Sequence, residues 1–136
     1  MQVLIDTNVI LDAILRRGEF SRLARLLIQK HEEKLFKGFV SASAITDIYY
    51  LVEKERKREF ALLAVKKIVR MLTVIPVNVK IIKAALDSDM NDFEDAVQAA
   101  AAQDCGIDIV ITRDKSGFHD SGLNVYFPDE FLETLT

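Results

Sequence analysis

Apolar positions along this chain follow two patterns: short unbroken runs, and longer stretches in which every third or fourth residue is apolar. Residues 2–5, ending in Val3-Leu4-Ile5, predict a strand buried on both faces, followed by a helix through about residue 15. Over 20–34, Phe20, Leu23, Leu27 and Ile28 recur at helical spacing with basic residues between them. Gly38 breaks that pattern, and Phe39-Val40 predicts a short strand. Ile45, Ile48, Tyr49 and Val52 predict a helix from about residue 43, and Phe60, Ala64, Ile68 and Leu72 another over 59–72. Residues 74–77 read as a strand in which Pro76 favours an edge or an end. Asn78 suits the N-cap of a helix to about 86, and Asp92 that of a helix over 93–105 which Gly106 ends. Residues 107–111 predict a second buried strand, and 125–127 a last short strand before a helical turn opened by Pro128. Strands alternating with helices predict an α/β fold, one domain over 1–136, with a mostly parallel central sheet flanked by helices.

Composition narrows the classes of function. Half of the 136 residues are hydrophobic and only two are proline, which fits one well-buried core and no disordered tail. No apolar run approaches the ~20 residues that span a bilayer, and the opening run is cut by Asp6 and lacks a basic start, so neither membrane contact nor a signal peptide is expected. The expected setting is cytoplasmic. The one cysteine, Cys105, cannot form an internal disulfide and is expected as a small buried hydrophobe at a helix end. His31 and His119 lack metal-ligand spacing, so zinc and cysteine-nucleophile chemistry are unsupported. A net charge of −3 argues against a generic nucleic-acid coat but leaves room for local basic surface. Basic residues gather at Arg16, Arg17, Arg22 and Arg25, at Lys30, Lys34 and Lys37, and at Lys54, Arg56, Lys57 and Arg58; glutamates interleave in the last group, as on an ordinary solvated helix face.

Two apolar runs end in acids, Val3-Leu4-Ile5-Asp6-Thr7-Asn8 and Ile109-Val110-Ile111-Thr112-Arg113-Asp114. In a parallel sheet both acids emerge at the carboxyl edge, where open α/β folds place their sites. Two such charges ~4 Å apart repel by roughly 4 kcal/mol at an effective dielectric near 20, and a hard divalent cation is the simplest offset. Asp6 is equally suited to capping a helix, and Asn8 either orients a metal-bound water or is an ordinary first-turn residue. Asp92-Phe93-Glu94-Asp95 opens a helix. Asp92 with Asp95 resembles a capping box, which accounts for one acid and leaves the other free to face the strand ends. The small side chains of residues 96–102 allow this helix close to the sheet, bringing Asp95 within reach of Asp6 and Asp114. Thr112 suits a hydrogen bond to a carboxylate or a metal-bound water, and Arg113 a phosphate. Asp47, Tyr50 and Lys54 share a helix face that offers an acid, a ring for base stacking and a cation for phosphate, or is simply the wet side of a helix.

In order and spacing, Val3-Leu4-Ile5-Asp6-Thr7-Asn8, Asp92-Phe93-Glu94-Asp95-Ala96-Val97-Gln98-Ala99 and Ile111-Thr112-Arg113-Asp114-Lys115 resemble the PIN-domain nucleases, including VapC-like toxin ribonucleases, over nearly the whole chain. The resemblance implies a three-layer PIN-like fold with Asp6, Asp95 and Asp114 as metal ligands. It places the family's remaining acid, usually a glutamate, at Asp47, whose shorter side chain suits contact through water. It also sets Gly117 where many relatives carry another acid. The implied catalytic set is Asp6, Asp47, Asp95 and Asp114, with Asn8, Asp92, Thr112 and Arg113 in support and Tyr50, Lys54 and Arg58 on RNA. The implied activity is that of a Mg²⁺- or Mn²⁺-dependent endoribonuclease in which metal-activated water hydrolyses RNA phosphodiesters, as the toxin of a toxin–antitoxin module. A homodimer and an antitoxin protein are the implied partners. The alternative is a catalytically weak or silent PIN-like module that binds RNA or protein, suggested by aspartate at position 47. A haloacid-dehalogenase-like phosphatase would need a second acid where Asn8 stands, a phospho-acceptor receiver an acidic pair at the first strand end, and an NTPase a P-loop glycine pattern; none of these is in the sequence.

Overall fold

The unbroken apolar runs become strands because both of their faces are covered. The computed structural model describes residues 1–16 and 18–136. In chain order the elements are β1 (Gln2–Ile5), α1 (Thr7–Leu15), α2 (Gly18–Glu32), β2 (Lys37–Ser41), α3 (Ala42–Glu55), α4 (Arg58–Met71), β3 (Thr73–Ile75), α5 (Val79–Leu86), α6 (Phe93–Asp104), β4 (Ile109–Ile111), a 3₁₀ turn (Lys115–Phe118), β5 (Asn124–Tyr126) and α7 (Pro128–Glu133). The strands lie in the order β3-β2-β1-β4-β5 and every pairing is parallel. Strand alternation splits the core in two. Val3, Ile5, Val40 and Ile111 face one side, against Val9 of α1, Leu27 of α2, Ile48 of α3, Ile68 of α4 and Phe131 of α7. Leu4, Phe39 and Val110 face the other, against Ile81 and Ala85 of α5 and Ala96, Ala99 and Ala102 of α6. The result is three layers, helix on sheet on helix.

The order of the strands creates the site. The chain steps outward from β1 to β2 to β3, then returns to set β4 on the opposite side of β1. Where an open parallel sheet reverses direction like this, the flanking connections diverge and leave a crevice beyond the strand ends. The residues that follow β1 and β4 are Asp6 and Thr112-Arg113-Asp114. The Asp6 N–H donates to Ile111 O at 3.0 Å, closing the two strand ends together.

The expected helix starts are formed as drawn. Asn78 Oδ1 accepts the Ile81 N–H at 3.1 Å and Asp92 Oδ1 accepts the Asp95 N–H at 3.0 Å. Gly106, at φ +74°, ends α6 in a conformation that costs a side-chain-bearing residue energy. Strand limits differ from expectation. Ile107 precedes β4, because its N–H closes α6 by donating to Ala102 O at 2.9 Å. Phe127 follows β5 and serves as the N-cap of α7, its N–H held by Glu130 Oε1 at 2.9 Å. Pro76 lies just past β3, itself an edge strand. Cys105 is exposed rather than buried, since α6 makes its last core contact at Ala102. Arg17 of the first basic group lies outside the described residues. Among the described residues no helix is long and apolar enough to cross a membrane.

His31 braces three elements. Its Nδ1 accepts the Gly38 N–H at 2.9 Å, which leaves Nε2 to carry the proton and donate to Met71 O at 2.6 Å. Gly38 sits one residue beyond the β2–β3 pairing, so this imidazole takes the place of a strand partner. Replacing His31 by Leu strands a buried N–H and is expected to cost about 2 kcal/mol, read from urea unfolding at neutral pH.

Candidate active site

Asp6 takes the N-cap position of α1, yet its side chain makes no capping bond. Its carboxylate turns into the crevice instead. Oδ1 accepts from Gln98 Nε2 at 2.9 Å and Oδ2 from Thr112 Oγ1 at 2.7 Å. Only 5% of Asp6 is exposed. Burial pushes its carboxyl above the ordinary range, while the Gln98 and Thr112 bonds pull the other way by favouring the charged form. Thr112 is the link between strands: while donating to Asp6 it accepts the Asp114 N–H at 3.0 Å, setting the turn after β4. Asn8 Oδ1 accepts the Arg113 N–H at 3.4 Å from the other side of the crevice. Asn8 is therefore a brace between the two strand ends.

Gln98 is the functional residue that sequence reasoning passed over. It is a buried amide in a helix face otherwise made of alanine and valine, and its Oε1 has no hydrogen-bond partner among the described residues. A lone polar residue three positions after Asp95, on the same helix face, was the available signal. The small neighbours do let α6 approach the sheet as expected, and Gln98 fills the space this leaves.

Asp95 and Asp114 meet at Gly117. The point that a Cβ of residue 117 would occupy lies 2.5 Å from Asp95 Oδ2 and 3.4 Å from Asp114 Oδ2. The other oxygen of Asp114 accepts from Ser116 Oγ at 2.5 Å. The expected capping box is only half formed, because Asp92 caps the helix while the Asp95 carboxylate faces the crevice. Half-buried and facing Asp6, Asp92, Asp114 and Glu94, Asp95 has its carboxyl pushed up to about 7, burial being the largest cause. Glu94 joins this group too. Asp47 across the gap between α3 and α6 is the main cause of its raised value, followed by burial, Asp92 and Asp6. Asp47 is itself raised by burial. The sequence reading gave Glu94 no role, since its place in a first helical turn already explained it.

Other expected residues have different partners. Arg113, expected on phosphate, is turned inward: Nε pairs with buried Asp12 Oδ2 at 2.7 Å and the guanidinium lies 4.2 Å from the Phe20 ring centre. It ties the loop after β4 to α1 and α2. Tyr50 is 57% exposed, with the Lys54 ammonium 5.0 Å from its ring centre, and Arg58 is exposed at the start of α4. Among the described residues, none of the three is hydrogen-bonded or ion-paired to Asp6, Asp95 or Asp114. A cavity of about 920 Å³ between α1, α2 and α4 includes no member of the acidic group in its lining.

Among the described residues, no three Asp, Glu, His or Cys side chains stand as a ready-made cage for an ion. Both oxygens of Asp6 and one of Asp114 are already hydrogen-bonded. The donors nonetheless fit a hard divalent cation. They are oxygens, their mutual repulsion adds to burial in raising the Asp95 carboxyl, and the buried Oε1 of Gln98 has no hydrogen-bond partner among the described residues.

That repulsion has a measurable sign. In the unfolded chain Asp95 titrates near 3.8, against about 7 when folded. Between those values the folded state keeps a proton that the unfolded state has released. The stabilisation is complete below about pH 4 and lost as pH rises through 7. Metal-free protein in EDTA is thus expected to melt lower at pH 7.5 than at pH 5. Asp95→Asn should narrow that gap and stabilise the protein at pH 7.5 by about 1–2 kcal/mol, less than the full linkage value because solvent screens a half-buried carboxylate.

Comparison with known proteins agrees with this architecture. The sequence model of the PIN domain matches residues 2–116. Ribonuclease VapC1 of Aquifex aeolicus (strain VF5) is 28% identical over 137 positions, covering 97% of this chain and 94% of that one. The fold is similar to that in the DNA-bound VapBC structure from Salmonella typhimurium, with TM-score 0.71, 16% identity, and 94% and 98% of the two chains covered. It is also similar to Mycobacterium tuberculosis VapC20, a sarcin–ricin-loop-cleaving toxin, with TM-score 0.64, 15% identity, and 79% and 86% covered. A parallel five-stranded sheet with this strand order, an acid at the end of each strand flanking its crevice and a matching sequence over most of its length place the chain in the PIN domain family.

Proposed function

We propose that this chain is a metal-dependent endoribonuclease, the toxin of a toxin–antitoxin module. The observation that carries the reading is the turning of Asp6, Asp95 and Asp114 from three separate elements into one crevice, two of them giving up the capping roles their positions offered. The relative named Ribonuclease VapC1 and the VapBC structures support the activity and the partner. In this reading Asp6, Asp95 and Asp114 hold Mg²⁺ or Mn²⁺ through carboxylate oxygens. The bound ion supplies Lewis acidity, which makes water a better nucleophile and offsets charge developing on the phosphodiester.

The chain's own residues do the rest. Gln98 and Thr112 fix Asp6 in position and favour its charged form. The Thr112 bond to the Asp114 N–H and the Asn8 bond to the Arg113 N–H hold the loop after β4 at the crevice, with the Asp12–Arg113 pair behind it. Asp47 and Glu94 form the outer acids and would act through water on an ion held by Asp6, Asp95 and Asp114. Tyr50, Lys54 and Arg58, with the group from Arg16 to Arg25, offer a stacking ring and phosphate contacts for RNA. An antitoxin protein, self-association as a homodimer, a cytoplasmic setting and a one-domain chain over 1–136 belong to the same proposal. The second reading, a silent RNA- or protein-binding module, draws on Asp47 in the glutamate position and on the absence of a ready-made cage among the described residues.

The two readings part in one assay. Purified chain with structured RNA and Mn²⁺ should cut, EDTA should stop it, and Asp6→Asn, Asp95→Ala and Asp114→Ala should each lower the rate at least about 100-fold. No cutting by the wild type, with RNA still bound, favours the silent module; cutting retained by Asp6→Asn points to another site or a contaminant. In EDTA, Asp114→Ala should melt at or slightly above the wild-type temperature; a large drop would make Asp114 a structural residue.

A further inference from the structure

We propose that Gly117 is a positioning residue: its missing side chain is the space into which the Asp95 carboxylate fits beside Asp114. The inference rests on the metal-binding reading above and deepens it. Gly117 is not required by its backbone, because the glycines at positive φ are Gly18, Gly106 and Gly122. An alanine could adopt the same local conformation. What it could not do is share the volume. A Cβ at 117 would stand 2.5 Å from Asp95 Oδ2 and 3.6 Å from Asp95 Cγ, far inside the normal contact distance for the oxygen.

One partner in that collision must move, and the structure decides which. The 3₁₀ turn is anchored by Phe118, which is 1% exposed, by the Gly117 N–H on Asp114 O at 3.2 Å and by Ser116 Oγ on Asp114 Oδ1. On the other side, Asp95 Oδ2 is the far end of a side chain with two rotatable bonds, and among the described residues no side-chain hydrogen bond holds it. Asp95 therefore gives way. A side chain at 117 turns it out of the hollow at little cost to the fold, and the ion loses one of its three carboxylates. The absence of a side chain at this position is thus part of how the centre is built: two acids from α6 and the loop after β4 approach each other across bare backbone.

The test is a double-mutant cycle on Gly117→Ala and Asp95→Ala, with Mn²⁺ binding followed by calorimetry in the absence of RNA. Gly117→Ala alone should weaken Mn²⁺ at least about tenfold while its metal-free melting temperature stays near that of the wild type. Added to Asp95→Ala it should weaken binding no further, because the side chain it displaces is gone. A crystal structure of metal-free Gly117→Ala should show the Asp95 carboxylate rotated out and the 3₁₀ turn in place. Equal Mn²⁺ affinity in Gly117→Ala and wild type, additive losses in the double variant, or an unmoved Asp95 would each overturn the proposal. If the wild type binds no Mn²⁺ at all, the metal reading falls, and the position of Asp95 in the crystal still decides the role of Gly117.

Discussion

A carboxyl group buried at a strand end, with hydrogen-bond donors brought to both of its oxygens, is the constraint from which the rest of this site follows. Asp6 stands at the end of a strand buried on both faces, and desolvation alone favours its protonated form. Two neutral donors oppose that tendency, the amide of Gln98 and the hydroxyl of Thr112. Each comes from a different part of the fold, one from α6 and one from the end of β4. The two bonds that hold Asp6 therefore also fix the distance between helix and sheet and the alignment of β1 with β4. The fold and the chemistry share the same hydrogen bonds.

Around that fixed point the remaining acids are arranged at the expense of stability. Asp95, Asp114, Glu94 and Asp47 approach Asp6 and one another although a chain selected only to fold would separate them. The compensation lies elsewhere: the Asp12–Arg113 pair under Phe20, the His31 brace between α2, β2 and α4, and the aromatic contact of Phe131 with Phe36 and Tyr126. The last two are set away from the acids, and the first lies behind the loop that carries Asp114. Strength in the scaffold is what allows strain at its edge.

How much of this could be read before any coordinates depended on the range of the interaction. The helices were legible because their periodicity is local, and so were the caps Asn78 and Asp92, whose partners are three residues away. The ends of β3, β4 and β5 were not, since three residues are too few to show a period. Asp6, Asp95 and Asp114 were legible as candidates from their places after strands and at a helix start. Their dominant partners were not. Gln98 meets Asp6 across 92 positions and Thr112 across 106, and no local pattern reports such a pairing. Arg113 shows the converse error. Its neighbours suggested a phosphate ligand, and only the fold reveals Asp12 beneath it. Cys105 was misplaced for the same reason, because the depth of a helix end is set by what packs on it.

The exposure of Cys105 has a practical consequence. It is the chain's one thiol, and it sits at the far end of the same helix whose first turn carries Asp95. Twelve helical residues separate the two ends by about 18 Å. A maleimide dye attached there would give the molecule a single fluorescent address, rigidly coupled to the crevice yet outside it. Energy transfer from that address to a labelled oligonucleotide would follow docking in real time without touching any group that does the work.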